Sequence, residues 1–339
     1  MRRADLGDDS RDGDPTVQSL EGLAAERTGK QAAIFLPSGT MANLVALLAH
    51  ATRGGQAVLE AESHILISEM GAVSIIAGLS PTPIEGARGA MNLENLRSAI
   101  QRTLSRNRLN TAVICMETSH NQAGGAVLPL SHMAAVFGLA RENDIPVHTD
   151  GARLFNAACA LRVGADRIAA HSDSVCFCLS KGLSAPAGSM LAGSAAFIER
   201  ARAFRRMVGG NLRQAGVLAA AGIVSLNRMT ARLVEDHRTA RELAEGLHRI
   251  ELSLIDPVTV ETNIVRVDVG ALGRGASFWS AEMRKRNVRV APQGKTALRF
   301  VTHRHIDSGS VQEAVRAFED IWHEVRNGDA RAEAGAEHA

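Results

Sequence analysis

Tyrosine is absent from this chain, and the other aromatics are scarce, with 9 Phe and 2 Trp in 339 residues. No phenol can therefore act as acid, nucleophile or ring-stacking group in whatever chemistry the protein performs. Lysine is nearly as rare. Of 38 basic residues only Lys30, Lys181, Lys285 and Lys295 are lysines, and the remaining 34 are arginines. A reaction that needs a primary amine has four side chains to choose from. An excess of one charge is missing too: 38 basic against 36 acidic residues leave a formal net charge of +2. That balance offers no broad field to nucleic acid or to an anionic membrane. No cationic stretch followed by an apolar one opens the chain, and no apolar run reaches the roughly eighteen residues of a membrane span, so neither secretion nor membrane insertion is expected. The four cysteines, Cys115, Cys159, Cys176 and Cys178, stand beside no histidine cluster. They read as free thiols of a reducing cytoplasm, not as a zinc site, and no metal is expected.

What is present is a globular composition, 45% hydrophobic and 22% charged, enough for a large core in about two domains. Short apolar runs at 32–36, 56–60, 111–116, 145–148 and 174–179 have the character of buried strands. Between them, 41–50, 93–102 and 131–142 space their apolar residues as amphipathic helices do. The alternation predicts an α/β fold, a mostly parallel central sheet with helices on both faces. After Arg213 the pattern changes. Helical stretches at 217–225, 230–250, 278–286 and 311–326 flank strand-like segments at 263–269 and 298–301. The chain thus divides into an N-terminal segment (1–25), a large α/β domain (26–225), a smaller α+β C-terminal domain (226–327) and a disordered tail (328–339).

Ligands in such sheets bind beyond the carboxyl ends of the strands, so the residues just after each run carry the chemistry. Pro37-Ser38-Gly39-Thr40-Met41-Ala42-Asn43 feeds a helix and offers N–H groups, two hydroxyls and a positive helix end. The same residues would also make an ordinary helix cap. His148-Thr149-Asp150-Gly151-Ala152-Arg153 ends another strand with a carboxylate, which could equally cap the helix that follows. Ser174-Val175-Cys176-Phe177-Cys178-Leu179-Ser180-Lys181-Gly182 places a lysine after a buried strand, where burial favours the neutral, nucleophilic amine. Lys30, Lys285 and Lys295 sit in polar settings. In order, a phosphate cradle, an acidic strand end and a strand-end lysine meet the needs of pyridoxal phosphate: N–H donors, a carboxylate for the ring nitrogen, and an amine for the aldehyde.

On these motifs the chain resembles the threonine aldolase and β-eliminating lyase family of fold-type-I pyridoxal phosphate enzymes, most nearly the low-specificity L-threonine aldolases. Further matching stretches are Gly7-Asp8-Asp9, Gly13-Asp14-Pro15-Thr16-Val17, Glu117-Thr118-Ser119-His120-Asn121, Arg213-Gln214 and Val301-Thr302-His303. The resemblance implies that Ser38, Gly39 and Thr40 hold the phosphate, with Arg213 reaching it from a neighbouring subunit of a dimer or tetramer. It implies that His64 stacks on the ring, Asp150 pairs with the ring nitrogen and Lys181 carries the cofactor. Arg153 and Arg299 would bind the substrate carboxylate, Arg153 also serving the ring oxygen, and His120 would help with the β-hydroxyl proton. The implied reaction is cleavage of L-threonine, L-allo-threonine or related β-hydroxy-α-amino acids to glycine and an aldehyde. Its alternatives are β-elimination, transamination, or cofactor binding with little turnover. One departure stands out: the family's opening Arg-Ser-Asp-Thr stretch does not precede Gly7, which puts one wall of the carboxylate site in question.

Overall fold

The computed structural model describes residues 1–100 and 109–336, with side chains described as far as residue 327. The strands, in chain order, are β1 (Ala32–Leu36), β2 (Gln56–Glu60), β3 (Ser80–Ile84), β4 (Gly86–Ala87), β5 (Ala90–Met91), β6 (Thr111–Glu117), β7 (Val147–Asp150), β8 (Ser174–Cys178), β9 (Ser189–Gly193), β10 (Ile264–Asp268), β11 (Ala291–Gln293) and β12 (Ala297–Val301). Seven of them form one sheet in the order β1-β9-β8-β7-β6-β2-β3. The pairings from β8 through to β3 are parallel, whereas β9 lies antiparallel to both β8 and β1. Two antiparallel pairings in succession leave β1 running the same way as β8. Its carboxyl end therefore opens on the same edge of the sheet as those of β2, β6, β7 and β8.

Helices cover both faces of this sheet, so its central strands have no solvent side. Successive residues still point to opposite faces. Ala33 and Phe35 of β1, with Val175 and Phe177 of β8, pack with Val17, Leu20 and Ala24 of the helix Pro15–Thr28. Ile34, Leu36 and Cys176 pack instead with Ala42, Val45 and Ala46 of the helix Gly39–His50. At the rim, β3 carries Pro81 and Pro83, which can lie on an edge without breaking a ladder. Those prolines are why Ser-Pro-Thr-Pro-Ile does not read as a strand in sequence.

The chain forms two compact units, Met1–Leu233 and Val234–Ala339. Composition alone puts the boundary at 225; that residue lies inside a helical run made of Gly216–Val224 and the π-helical Ser225–Met229. The second unit holds the antiparallel sheet β10-β12-β11, with Trp279 fully buried and stacked on Phe318 at 4.4 Å. The backbone of its last helix runs from Ser308 to Ala336, through most of the stretch that composition marks as a disordered tail; 337–339 lie outside the described residues. The helix read at 93–102 is observed over Leu93–Ala99, and its last two residues also lie outside them. Among the described residues no single helix is long and apolar enough to cross a membrane.

Candidate active site

The carboxyl edge of the large sheet encloses a cavity of about 240 Å³. Ser38, Gly39 and Thr40 border it after β1, His64 after β2, Asp150 at the end of β7 and Lys181 after β8. A larger cleft of about 410 Å³ lies in the second unit, lined by Arg289, Thr302 and His303. It holds neither a lysine nor a buried carboxylate and has no matching chemistry.

At the cradle, Ser38 caps the helix Gly39–His50, its Oγ accepting from the Met41 amide at 3.2 Å. The backbone at Gly39 passes so close to β8 that a Cβ there would sit 2.8 Å from Cys178 Sγ. Within 3.6 Å of the same point lies Ser189 Oγ, buried and without a hydrogen-bond partner. A helix start, a glycine and an unpaired buried hydroxyl are what a bound phosphate would satisfy. The residues present fit the cofactor at this end.

Across the cavity, Asp150 is 2% exposed. Its Oδ2 accepts from Asn43 Nδ2 at 2.8 Å and its Oδ1 from the Ala152 amide at 3.0 Å. Asn43 Nδ2 also donates to Glu69 Oε1 at 2.9 Å, and that oxygen lies 3.2 Å from His64 Nδ1. The hydrogen bond to Glu69 raises His64 above the ordinary imidazole value, against the pull of burial. Glu69 itself is pushed up by burial, although its bonds to His64 and Asn43 oppose the shift. Ligand atoms of His64, Glu69 and Asp150 fall within 4.8 Å of one another. Because Asn43 already donates to both carboxylates, the group is a hydrogen-bonded cluster and not a cation cage. Lys181 follows the last residue of β8 by three positions and is half-buried, held in a turn closed by Ser184 N donating to its carbonyl at 2.9 Å.

Other residues singled out in the sequence lie elsewhere. Arg153 stands half-buried at the head of the helix Leu154–Leu161 and does not line the cavity. His120 is 1% exposed; its Nε2 meets Glu60 Oε2 at 3.0 Å, and its Nδ1 accepts from the Ala123 amide at 3.2 Å. Burial opposes charge on this ring, but Glu60 and Glu117 prevail and raise its pKa, while the Ala123 N–H aimed at Nδ1 favours a neutral ring. Arg213 pairs with Asp8 of its own chain at 2.8 Å and borders no part of the cavity. Arg299 lies on β12 in the second unit, half-buried, its Nε unpaired and its pKa lowered by burial. Sequence reading passed over Asn43 and Glu69. The signal at Asn43 was present: it is a lone amide in the apolar run Ala42–Leu48, and it is 2% exposed.

A model of the β-eliminating lyase family matches residues 1–269. The chain belongs to that family. Within it, the low specificity L-threonine aldolase of Escherichia coli (strain K12) is 38% identical over 322 residues, covering 94% of this chain and 93% of that protein. The threonine aldolase of Leishmania major has the same fold, with a TM-score of 0.77 at 17% identity, over 91% of this chain and 90% of that one. A serine palmitoyltransferase variant of S. paucimobilis, solved with a bound PLP–myriocin aldimine, also shares the fold, with a TM-score of 0.73 at 18% identity over 95% and 80% of the two chains. The cavity lies where open α/β sheets bind their ligands, outside the carboxyl ends of the parallel strands.

Proposed function

We infer that the protein is a pyridoxal phosphate-dependent aldehyde-lyase that cleaves L-threonine, L-allo-threonine or related β-hydroxy-α-amino acids to glycine and an aldehyde. The observation that carries the reading is one cavity bordered by the Gly39 cradle, His64, Asp150 and Lys181. The names of curated relatives favour aldol cleavage over elimination or transamination. When bound, the cofactor supplies an electron sink for the bond broken at the substrate's α-carbon.

The protein's own groups do the rest. The amides that open the helix Gly39–His50, with the Thr40 and Ser189 hydroxyls, hold the phosphate. Asp150 would pair with the ring nitrogen, and Lys181 would hold the cofactor through its amine. His64 takes up the β-hydroxyl proton in preference to His120. Its Nδ1 is held by Glu69 and its Nε2 has no hydrogen bond among the described residues, whereas both ring nitrogens of His120 are engaged. Arg153 and Arg299 remain the candidates for the substrate carboxylate. A homo-oligomer, at least a dimer, would explain why Arg213 lies outside its own chain's cavity, and four free cysteines support a cytoplasmic setting. Loaded with pyridoxal phosphate, the protein should show an absorbance band that glycine shifts, and it should release acetaldehyde from threonine. Lys181→Ala should lose the band and nearly all turnover; a variant that still cleaves threonine sinks the scheme.

A further inference from the structure

Behind Asp150 runs a chain of hydrogen bonds that none of the roles above uses. It starts at Asn43, whose Nδ2 donates to Asp150 and to Glu69. Carboxylates only accept, so the amide must present its nitrogen to them and its Oδ1 away. That oxygen lies 3.1 Å from His148 Nε2 and 3.1 Å from Cys176 Sγ. An amide oxygen also only accepts, so His148 carries its proton on Nε2. Its Nδ1, 2.8 Å from Ser174 Oγ, must then accept the serine's proton. The serine oxygen in turn takes a proton from His50 Nε2, 2.7 Å away. Every donor in the series points toward Asp150, and one fixed end sets both imidazole tautomers. Burial holds both rings neutral, pulling His148 down to about 4 and His50 to about 3. A neutral ring is the only form that fits, since a proton on His148 Nδ1 would face the serine hydroxyl already turned toward it.

We propose that Asn43, His148, Ser174 and His50 are positioning residues, a one-directional hydrogen-bond chain that aims the Asp150 carboxylate at the cofactor's ring nitrogen. His148 is the lock. Without its Nε2–H, Asn43 Oδ1 keeps only the weak thiol donor, and the amide is freer to rotate away from the two carboxylates. β7 and β8 set the spacing, since His148 and Ser174 are direct partners in their pairing. His50 closes the chain from the last residue of the helix Gly39–His50, stacked on Phe197 at 4.3 Å.

The proposal rests on the reading of Asp150 as the ring-nitrogen partner, and the test separates the two. The full-length protein, stripped of cofactor, is titrated with pyridoxal phosphate and with its 1-deaza analogue, which has carbon in place of the ring nitrogen. His148→Asn can keep the contact to Ser174 but cannot reach Asn43, whereas His148→Gln can place its amide nitrogen near the lost Nε2. We expect His148→Asn to weaken pyridoxal phosphate about tenfold, the worth of one well-made buried hydrogen bond, and the deaza analogue less than twofold. His148→Gln should recover most of the loss. Asn43→Ala, which keeps a good helix former at that position, should repeat the first pattern if His148→Asn does not fold. Equal weakening of both ligands, or of neither, overturns the chain as a positioning device and leaves Lys181 and the cradle untouched. A wild-type protein that binds the two ligands equally well removes the role of Asp150, and the proposal with it. Binding of neither ligand would end the cofactor reading itself.

Discussion

The hydrogen bond to Glu69 raises the pKa of His64. A base must be neutral to accept a proton, and the Glu69 contact favours the charged ring. The rate of threonine cleavage should therefore climb with pH through a value above the ordinary imidazole value of about 6.5. Replacing the carboxylate by a neutral amide in Glu69→Gln removes the charge that favours imidazolium, so the rising limb should move to lower pH. A limb that stays in place would show that another group accepts the proton. Gly39, Asp150 and Lys181 stand out in the sequence only as an ordered set, since the Gly39 and Asp150 motifs taken alone each have an ordinary capping use. Nothing in the sequence near His148 marks its contacts, because Asn43 and Ser174 approach it from distant parts of the chain.

Among the elements, the helix Pro15–Thr28 shows how one capping residue can tie several segments together. Asp14 is fully buried, and its Oδ1 accepts from the Thr16 and Val17 amides, both at 3.0 Å. Its Oδ2 accepts from Gly7 N at 3.1 Å and Gly216 N at 3.0 Å. A Cβ at Gly216 would sit 2.3 Å from that carboxylate, so the approach requires glycine. Asp14→Ala strands four amides and removes the cap, and should cost about 3 kcal/mol or more of stability, read from the denaturation midpoint. A loss below about 1 kcal/mol would mean that water replaces the carboxylate. Asp14-Pro15 is a recognisable helix start, yet the helix itself is hard to read. Its inward face includes Glu21, which accepts from Phe35 N at 2.9 Å and pairs with Arg202 at 2.6 Å, so its polarity pattern is blurred.

For the whole molecule, His148, which is buried, and His50, which is half-buried, connect the site to global stability. His148 and His50 sit well below their unfolded value near 6.5, so unfolding takes up protons as the pH falls. Their contribution is complete above about pH 6.5 and drains away as the pH drops through their folded values near 4 and 3. The sum is on the order of a few kcal/mol. Thermal unfolding of the cofactor-free protein should therefore occur at clearly lower temperature at pH 5 than at pH 7, with a smaller difference in His50→Gln. An equal difference in that variant would trace the acid sensitivity to carboxylates instead.

The sequence by itself determined the α/β class, the positions of β1, β2, β6, β7 and β8 within two residues, and the order of cradle, carboxylate and lysine. Those properties follow from local pattern: buried strands are continuous apolar runs, and ligands of such sheets bind where those runs end. Only the tertiary structure decided which of the candidates share a cavity. Ser38, Gly39, Thr40, His64, Asp150 and Lys181 meet because six strand pairings bring their chain segments to one edge, while Arg153, His120 and Arg213 do not line that cavity. It also decided the contacts behind Asp150. A hydrogen bond such as that from His148 to Asn43 joins residues 105 positions apart, and no local pattern in the chain records it.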